Sequence, residues 1–218
     1  MELPVSQPDR MTARSGREIR AMAIAVQANL VQLKVAAVKR RGLTESLQAI
    51  RVSSPGTVRE FRETLIDRRV LRDYSEFELE VRLRELWGQY CVMCWLFEQV
   101  PSRGDVDFAR LPTDAIGRCD TEIEIKHAAV HALLWCLRFE QRRRHDIEYA
   151  ASPSFQRDQL LTAEIPATAF GKDVTDCTDE ELLLGGCEFA GMLATLRWVL
   201  DRECCWGEAG TMEVGERP

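Results

Sequence analysis

Apolar positions recur along the chain with a helical period, and the densest of these patterns covers residues 121–145. At about 100° per residue, Glu124, His127, His131 and Arg138 fall on one narrow stripe of the helical wheel. So narrow a polar stripe is typical of a helix packed on most of its sides, so we expect this helix to be the centre of the fold. Apolar residues cover the remaining circumference: Ile123, Ala129, Val130, Leu133, Leu134, Cys136 and Leu137.

Helix starts are marked by a repeated signature, a hydroxyl residue followed three positions later by glutamate. In this capping box the hydroxyl and the carboxylate accept hydrogen bonds from two N–H groups that the helix leaves without partners. Another apolar helix is predicted over residues 16–41. The chain is therefore predicted to be a single all-α domain of about six helices, packed around a central helix near residues 121–145. The signature occurs at Thr57/Glu60, Ser75/Glu78, Thr121/Glu124 and Thr178/Glu181.

The helix that follows Thr178 contains a stripe of small residues, formed by Gly186, Ala190 and Ala194. Because small side chains let two helices come close, we expect another backbone to approach at this stripe. Gly185 and Gly186 each weaken the helix by about 1 kcal/mol relative to alanine. We expect packing or bending at this point to offset that loss.

Two connections, residues 101–120 and residues 151–177, are unusually long for a compact domain. Residues 155–163 of the second connection are predicted as a short helix. Neither connection contains a strand pair with a hairpin signal. We expect a loose N-terminal segment at residues 1–15, a helical domain at 16–206 and a flexible C-terminal tail at 207–218.

Composition and charge narrow the classes of function. The net charge of −6 argues against a general nucleic-acid binder, which needs concentrated positive charge, and is compatible with a basic protein partner. The chain has neither an apparent secretion signal nor 18 consecutive apolar residues, so we expect a cytoplasmic protein without a membrane span. Only four of the 29 basic residues are lysine, which indicates a GC-rich, bacterial genome.

The sharpest candidate for metal chemistry is Glu124-x-x-His127-x-x-x-His131, because these spacings put three ligand types on one helix face. A carboxylate-type metal bundle would need ligands from other helices, and no second Glu-x-x-His occurs. Glu124 also has a competing role in its predicted capping box. The set therefore predicts either a divalent-metal site or a polar stripe with no cofactor.

Two further clusters have a structural and a functional interpretation. The basic triplet Arg142, Arg143 and Arg144 suits the C-terminus of a helix, and it is also a candidate binding site for phosphate, nucleic acid or an acidic partner. Cys91-x-x-Cys94 resembles a redox or zinc pair but lies in an apparent helix without a second pair, which favours core packing. The eight cysteines are expected to be reduced.

The order of elements resembles an uncharacterised, mostly bacterial family, domain of unknown function 4272. The resemblance is carried by an alanine-rich first helix, three helices with Trp-containing apolar runs and a Trp-led tail. It implies a helical fold and no particular activity. The corresponding stretches are residues 18–40, 86–98, 122–138, 188–200 and 206–208.

The expected function follows from the lack of catalytic signatures, since Gly-x-Ser-x-Gly and Gly-rich phosphate-binding motifs do not occur. We expect a non-enzymatic protein that acts through contacts with another protein or with a copy of itself, for example an immunity- or antitoxin-like binder. The alternative is a metal-dependent enzyme or metal-binding protein that uses Glu124, His127 and His131. A nucleic-acid accessory factor that uses the basic triplet is the third hypothesis.

Overall fold

The computed structural model describes residues 14–40, 74–101, 106–112, 116–163, 165, 167–204 and 206. These residues form one all-α domain, as the sequence predicts. The domain also contains two 3₁₀ turns and a β-hairpin whose strands have two residues each, β1 (Thr168–Ala169) and β2 (Lys172–Asp173). The helices of the described residues are α1 (Gly16–Arg40), α2 (Glu76–Leu96), α3 (Asp120–His145), α4 (Ile147–Ala150), α5 (Pro153–Ala163) and α6 (Asp179–Leu200).

The capping boxes that start α2 and α6 are confirmed. Ser75 Oγ accepts from the N–H of Glu78 at 3.1 Å, and the Glu78 carboxylate accepts from the N–H of Ser75 at 2.6 Å. Thr178 and Glu181 form the same pair of bonds at the start of α6. A further box, Ser15 with Glu18, begins α1.

The predicted box at Thr121 and Glu124 is wrong. The N-cap of α3 is Cys119, and its N–H donates to the carboxylate of Glu122 at 3.0 Å. The helix therefore begins two residues earlier than the hydroxyl signature indicates, and Cys119 has the extended conformation usual for an N-cap residue. The remaining predicted box, Thr57 with Glu60, lies outside the described residues.

The centre of the fold is α6 rather than α3. α6 packs against α2 on one side and α3 on the other, and α1 packs against α2. The N-terminal half of α3 is partly open, since Ile125 is 65% exposed and Ala128 and Ala129 are also exposed. The helical wheel overstated the enclosure of α3 because alanines count as apolar positions although their exposure costs little free energy.

The contact between α2 and α6 depends on two glycines. A Cβ atom at Gly88 of α2 would overlap the carbonyl oxygen of Glu188 in α6. Reciprocally, a Cβ atom at Gly191 of α6 would overlap the carbonyl oxygen of Glu85 in α2. The close approach that the small-residue stripe predicted therefore occurs at Gly191, and Gly186 has open space around it.

The larger hydrophobic core lies among α1, α2, α6 and the N-terminal part of α3, and a smaller core lies between α3, α6 and the hairpin. The hairpin contradicts the expectation that the connection at 151–177 lacks paired strands. Its turn places Phe170 and Gly171 at φ of 57° and 77°, a conformation that the usual Asn-Gly signal favours more than Phe-Gly. The Phe170 ring packs against Gly185, where a Cβ atom would lie only 2.8 Å from Cζ. The predicted short helix of this connection is confirmed as α5.

Arg14 holds the start of the described chain against the C-terminus of α6. Its Nε donates to the carbonyl of Trp198 at 2.9 Å, and its Nη2 donates to the carbonyls of Arg202 and Cys204 at 3.0 and 2.7 Å. The guanidinium also lies 4.5 Å from the centre of a Trp198 ring. Since the last carbonyls of a helix have no intrahelical donors, Arg14 satisfies groups that would otherwise need water.

Two helices are long and apolar enough to cross a membrane by length and composition, α1 over Gly16–Val38 and α6 over Asp179–Leu200. Half of α6 is buried inside the domain, where it forms the central helix. Core helices of soluble proteins have the same length and composition, so this property does not by itself indicate a membrane.

The glycine contact predicts that alanine at Gly88 or Gly191 destabilises the protein, whereas alanine at Gly186 stabilises it. Gly88→Ala and Gly191→Ala should each reduce the free energy of unfolding by about 3 kcal/mol or more, because two helix backbones must separate to admit the Cβ atom. Gly186→Ala, the matched control in the same helix, should increase it by up to about 1 kcal/mol through helix propensity. Urea unfolding followed by circular dichroism measures all three. Equal effects at Gly191 and Gly186 would contradict the backbone contact.

Candidate functional site

The polar stripe of α3 brings two of its three predicted metal ligands together. The imidazole rings of His127 and His131 are 6.2 Å apart between centroids, and both side chains are partly buried. Burial lowers the pKa of His127, and the nearby His131 and Arg197 lower it further. Glu124 is exposed and has no capping role, which belongs to Glu122.

No group of three or more His, Cys, Asp or Glu side chains is arranged to hold a metal ion within the part of the chain that the structure describes. Metal binding by Glu124, His127 and His131 would therefore need a rearrangement or a further ligand, and it stays a prediction. Cys94 packs in the larger hydrophobic core, and Cys91 is partly buried. Burial raises the pKa of the Cys91 thiol to about 12 and of the Cys94 thiol to about 11, so neither is a thiolate at neutral pH.

The basic triplet that ends α3 makes contacts within the chain. The guanidinium carbon of Arg142 lies 3.8 Å from the centre of the Tyr149 ring, and its Nη2 lies 3.8 Å from a carboxylate oxygen of Asp146. These contacts fix α4 against the end of α3. Cations at this position also interact favourably with the helix dipole.

Arg143 and Arg144 both bind the carboxylate of Glu140, which is 2% exposed. Arg143 donates from Nε and Nη2 to the two carboxylate oxygens, each at 2.7 Å, and Arg144 donates from Nε at 2.7 Å. Burial alone would raise the pKa of Glu140, but these hydrogen bonds and the two positive charges outweigh it and hold that pKa below its ordinary value. Glu140 is therefore a buried anion that two arginines neutralise.

Arg144 extends this network to the start of α6. Its Nη2 donates to the carbonyl of Thr175 at 2.8 Å, and its Nη1 donates to the carbonyl of Cys177 at 2.7 Å and to Asp179 Oδ1 at 3.0 Å. Arg144 thus joins α3, the 3₁₀ turn Val174–Asp176 and α6. Anion binding by the triplet stays a prediction. Arg144 is the member with the most hydrogen bonds to other described residues of the chain.

The sequence patterns do not predict a groove that lies where the N-termini of α2 and α6 meet the C-terminus of α3. We call it the acidic groove. It has a volume of about 470 Å³ and is lined by four carboxylates, those of Glu76, Glu80, Asp179 and Glu180. Acidic residues in the first turn of each helix interact favourably with its dipole, which explains their abundance at two neighbouring helix starts.

The acidic groove also has an apolar lining. Phe77, Leu183 and Leu184 line it, and the Phe77 side chain is 57% exposed. An aromatic side chain exposed to this degree would remove a large apolar area from water if a partner covered it. The groove therefore combines an anionic rim with an apolar anchor.

One imidazole lines the acidic groove together with the four carboxylates. His145 Nε2 lies 3.3 Å from Asp179 Oδ2. The pKa of Asp179 is lowered, chiefly by the hydrogen bond from Arg144 and further by His145, so Asp179 is ionised at neutral pH. Arg144 and His145 thus partly balance the charge of Asp179, and Arg84 lies 3.2 Å from the carboxylate of Glu80. Glu180 is an exposed residue of the groove.

The sequence holds a signal for this groove that periodicity does not reveal. Ser75 and Thr178 are each followed by acidic residues mixed with large apolar ones, in Ser-Glu-Phe-Glu-Leu-Glu and Thr-Asp-Glu-Glu-Leu-Leu-Leu. Each stretch alone is an ordinary capped helix start. Their adjacency arises only from the crossing of α2 and α6.

Comparison of the chain with protein-family models, with curated proteins and with solved structures finds no match. The resemblance to domain of unknown function 4272 therefore stays a prediction.

The buried carboxylate predicts a pH-dependent effect of Glu140→Gln. At pH 7 the variant should lose about 2 kcal/mol of unfolding free energy, because two arginines lose their anionic partner. The folded-state pKa of Glu140 lies below the ordinary 4.5, so its contribution is present above that pH and is lost as pH falls through the folded-state value. The difference between wild type and variant should therefore shrink on acidification.

Urea unfolding of both proteins between pH 7 and pH values below 4.5 measures this difference. Glu148→Gln is the matched control, since Glu148 is an exposed carboxylate of α4 and should give no difference at any pH. Equal stability of Glu140→Gln and wild type at pH 7 would show that the network does not support the fold.

Proposed function

We propose that the protein is a non-enzymatic, cytoplasmic binding protein that takes a basic, amphipathic segment of another protein into the acidic groove. The observation that carries this proposal is the combination of four carboxylates with the exposed Phe77 in one groove. An immunity- or antitoxin-like role, in which an acidic protein covers a basic partner, is one context of this kind.

Charge complementarity defines the partner's polar side. Carboxylates on an exposed rim attract lysine and arginine side chains and raise the rate of association, and salt screens this attraction. The net charge of −6 adds a long-range field of the same sign. We therefore infer a partner with several basic side chains.

The apolar lining of the groove defines the other side of the partner. Phe77 is half-exposed, and Leu183 and Leu184 are only partly buried. Apolar anchors at the centre of an interface contribute most of the binding free energy, whereas rim charges contribute less. A segment with one apolar face between basic residues matches both parts of the groove.

The proposal predicts that groove substitutions abolish capture of a specific partner. Wild type and two variants, Glu180→Lys and Phe77→Ser, are immobilised and incubated with lysate of the native host, and the bound proteins are quantified by mass spectrometry. We expect a protein with a basic segment to be enriched by wild type and reduced about tenfold or more by either variant. A synthetic peptide of that segment should bind wild type more weakly as salt increases.

Matched controls come from other surfaces of the same domain. Glu148→Lys reverses an exposed carboxylate in the first turn of α4, and Leu160→Ser removes an apolar side chain of α5 that is 73% exposed. Both should retain the partner. Partners that all variants capture equally, or a captured segment without basic residues, would contradict the proposal.

Self-assembly is the other form of the protein-contact hypothesis. Light scattering of the purified full chain over a concentration series distinguishes it. A mass that stays at one chain while the groove variants lose a foreign partner supports the proposed function. A concentration-dependent dimer that Phe77→Ser dissociates would instead make a second copy the occupant of the groove.

A metal-binding function remains the alternative, and the adjacent rings of His127 and His131 favour it. It predicts stoichiometric divalent metal in protein purified without chelator, reduced strongly by the double substitution His127→Ala and His131→Ala. Elemental analysis measures both samples. Protein without bound metal would remove this alternative.

A further inference from the structure

A second cavity, separate from the acidic groove, opens between the C-terminal half of α3, α5 and the β-hairpin. We call it the side cavity. Its volume of about 440 Å³ is in the range of small-molecule sites. The side chains that define its chemistry are Phe139, Glu140, Arg143, Ile165, Asp173 and Val174.

One wall of the side cavity carries the guanidinium group of Arg143 next to the Glu140 carboxylate. Arg143 binds Glu140 through Nε and Nη2, and Arg144 binds the same carboxylate, so two guanidinium groups face one buried anion. The Arg143 side chain is 45% exposed, and its Nη1 has no hydrogen bond to any residue that the structure describes. Arg143 can therefore donate to an anionic group in the cavity while it continues to hold Glu140.

Another wall is anionic. Asp173 Oδ1 accepts from the N–H and the hydroxyl of Thr175 at 2.9 and 2.7 Å. These bonds lower the pKa of Asp173 and leave it ionised at neutral pH. Oδ2 has no hydrogen-bond donor among the described residues, so it can accept from a cationic group.

Apolar surface accompanies the two charged walls. The ring of Phe139 is stacked on Phe155 with 5.5 Å between centroids, which fixes its orientation. Val174 and Ile165 supply aliphatic surface. A ligand of this cavity thus has one anionic group, one cationic group and an apolar part.

We propose that the side cavity binds small zwitterions with an apolar side chain, whose carboxylate pairs with Arg143 and whose ammonium group pairs with Asp173. Free apolar α-amino acids and short peptides share this chemistry. The proposal is independent of the acidic groove, since the two cavities share no lining residue.

Isothermal titration of the full chain with L-leucine, L-phenylalanine and the dipeptide Leu-Leu tests this inference. We expect saturable binding of at least one of the three. Leucinamide, which lacks the carboxylate, and N-acetyl-leucine, which lacks the ammonium group, should each bind about tenfold more weakly than leucine. Binding of the dipeptide alone would identify a peptide as the ligand; for that case the matched analogues are the amidated and N-acetylated dipeptides.

Asp173→Asn is the decisive variant. Asparagine keeps the oxygen that accepts from Thr175, so the fold should be preserved while the negative charge is lost. We expect about tenfold weaker binding, and a similar loss for Arg143→Gln, in which Arg144 still holds Glu140. Glu148→Gln, outside the cavity, should bind like wild type. Absence of saturable binding by all three zwitterions at millimolar concentration, or unchanged binding by Asp173→Asn, would overturn the proposal.

Discussion

The backbone contact between α2 and α6 determines where the other parts of the molecule lie. Because Gly88 and Gly191 lack side chains, the two helices approach until each backbone touches the other's carbonyl. This contact makes α6 the central helix, with α1 beyond α2 on one side and α3 on the other. It also brings two capped helix starts to the same end of the domain, and the acidic groove is the surface that they form there.

Arg144 connects the two cavities. It shares Glu140 with Arg143, which lines the side cavity, and it binds Asp179, which lines the acidic groove. Its bonds to two carbonyls fix the 3₁₀ turn that precedes α6. A single guanidinium therefore positions residues of both surfaces. From the sequence alone, the basic triplet is only a charged helix end, and its role in joining these surfaces is not predicted.

The sequence predicts the helices well because capping and periodicity are local. Ser75 with Glu78 and Thr178 with Glu181 start the helices that they predict. At α3 the start is shifted, because Glu122 and not Glu124 accepts the hydrogen bond of the N-cap backbone, at Cys119. Neighbours are harder to predict. No residue near Gly88 in the sequence indicates that α6 packs against it. The apolar pattern of the alanine-rich turns of α3 predicts enclosure, although these turns face solvent.

The candidate site depends on such non-local contacts. In the sequence, Phe77 and Leu184 occupy ordinary positions of two separate helices. Only the crossing of these helices places them in one groove. The α3 stripe shows the converse, since His127 and His131 are neighbours by helical spacing alone, while a third ligand would depend on another helix. Side-chain chemistry within one helix is thus readable from sequence, and chemistry between helices is not.

The position of Arg14 has a practical consequence for protein handling. Arg14 contacts the carbonyl of Cys204, and Trp198 beneath it meets the ring of Trp206, so both ends of the described chain lie at the C-terminus of α6. The acidic groove lies at the opposite end of this helix, which is about 33 Å long at 1.5 Å per residue. Fluorophores or surface tethers attached near residues 14 or 206 would therefore lie at the end of the domain away from the groove.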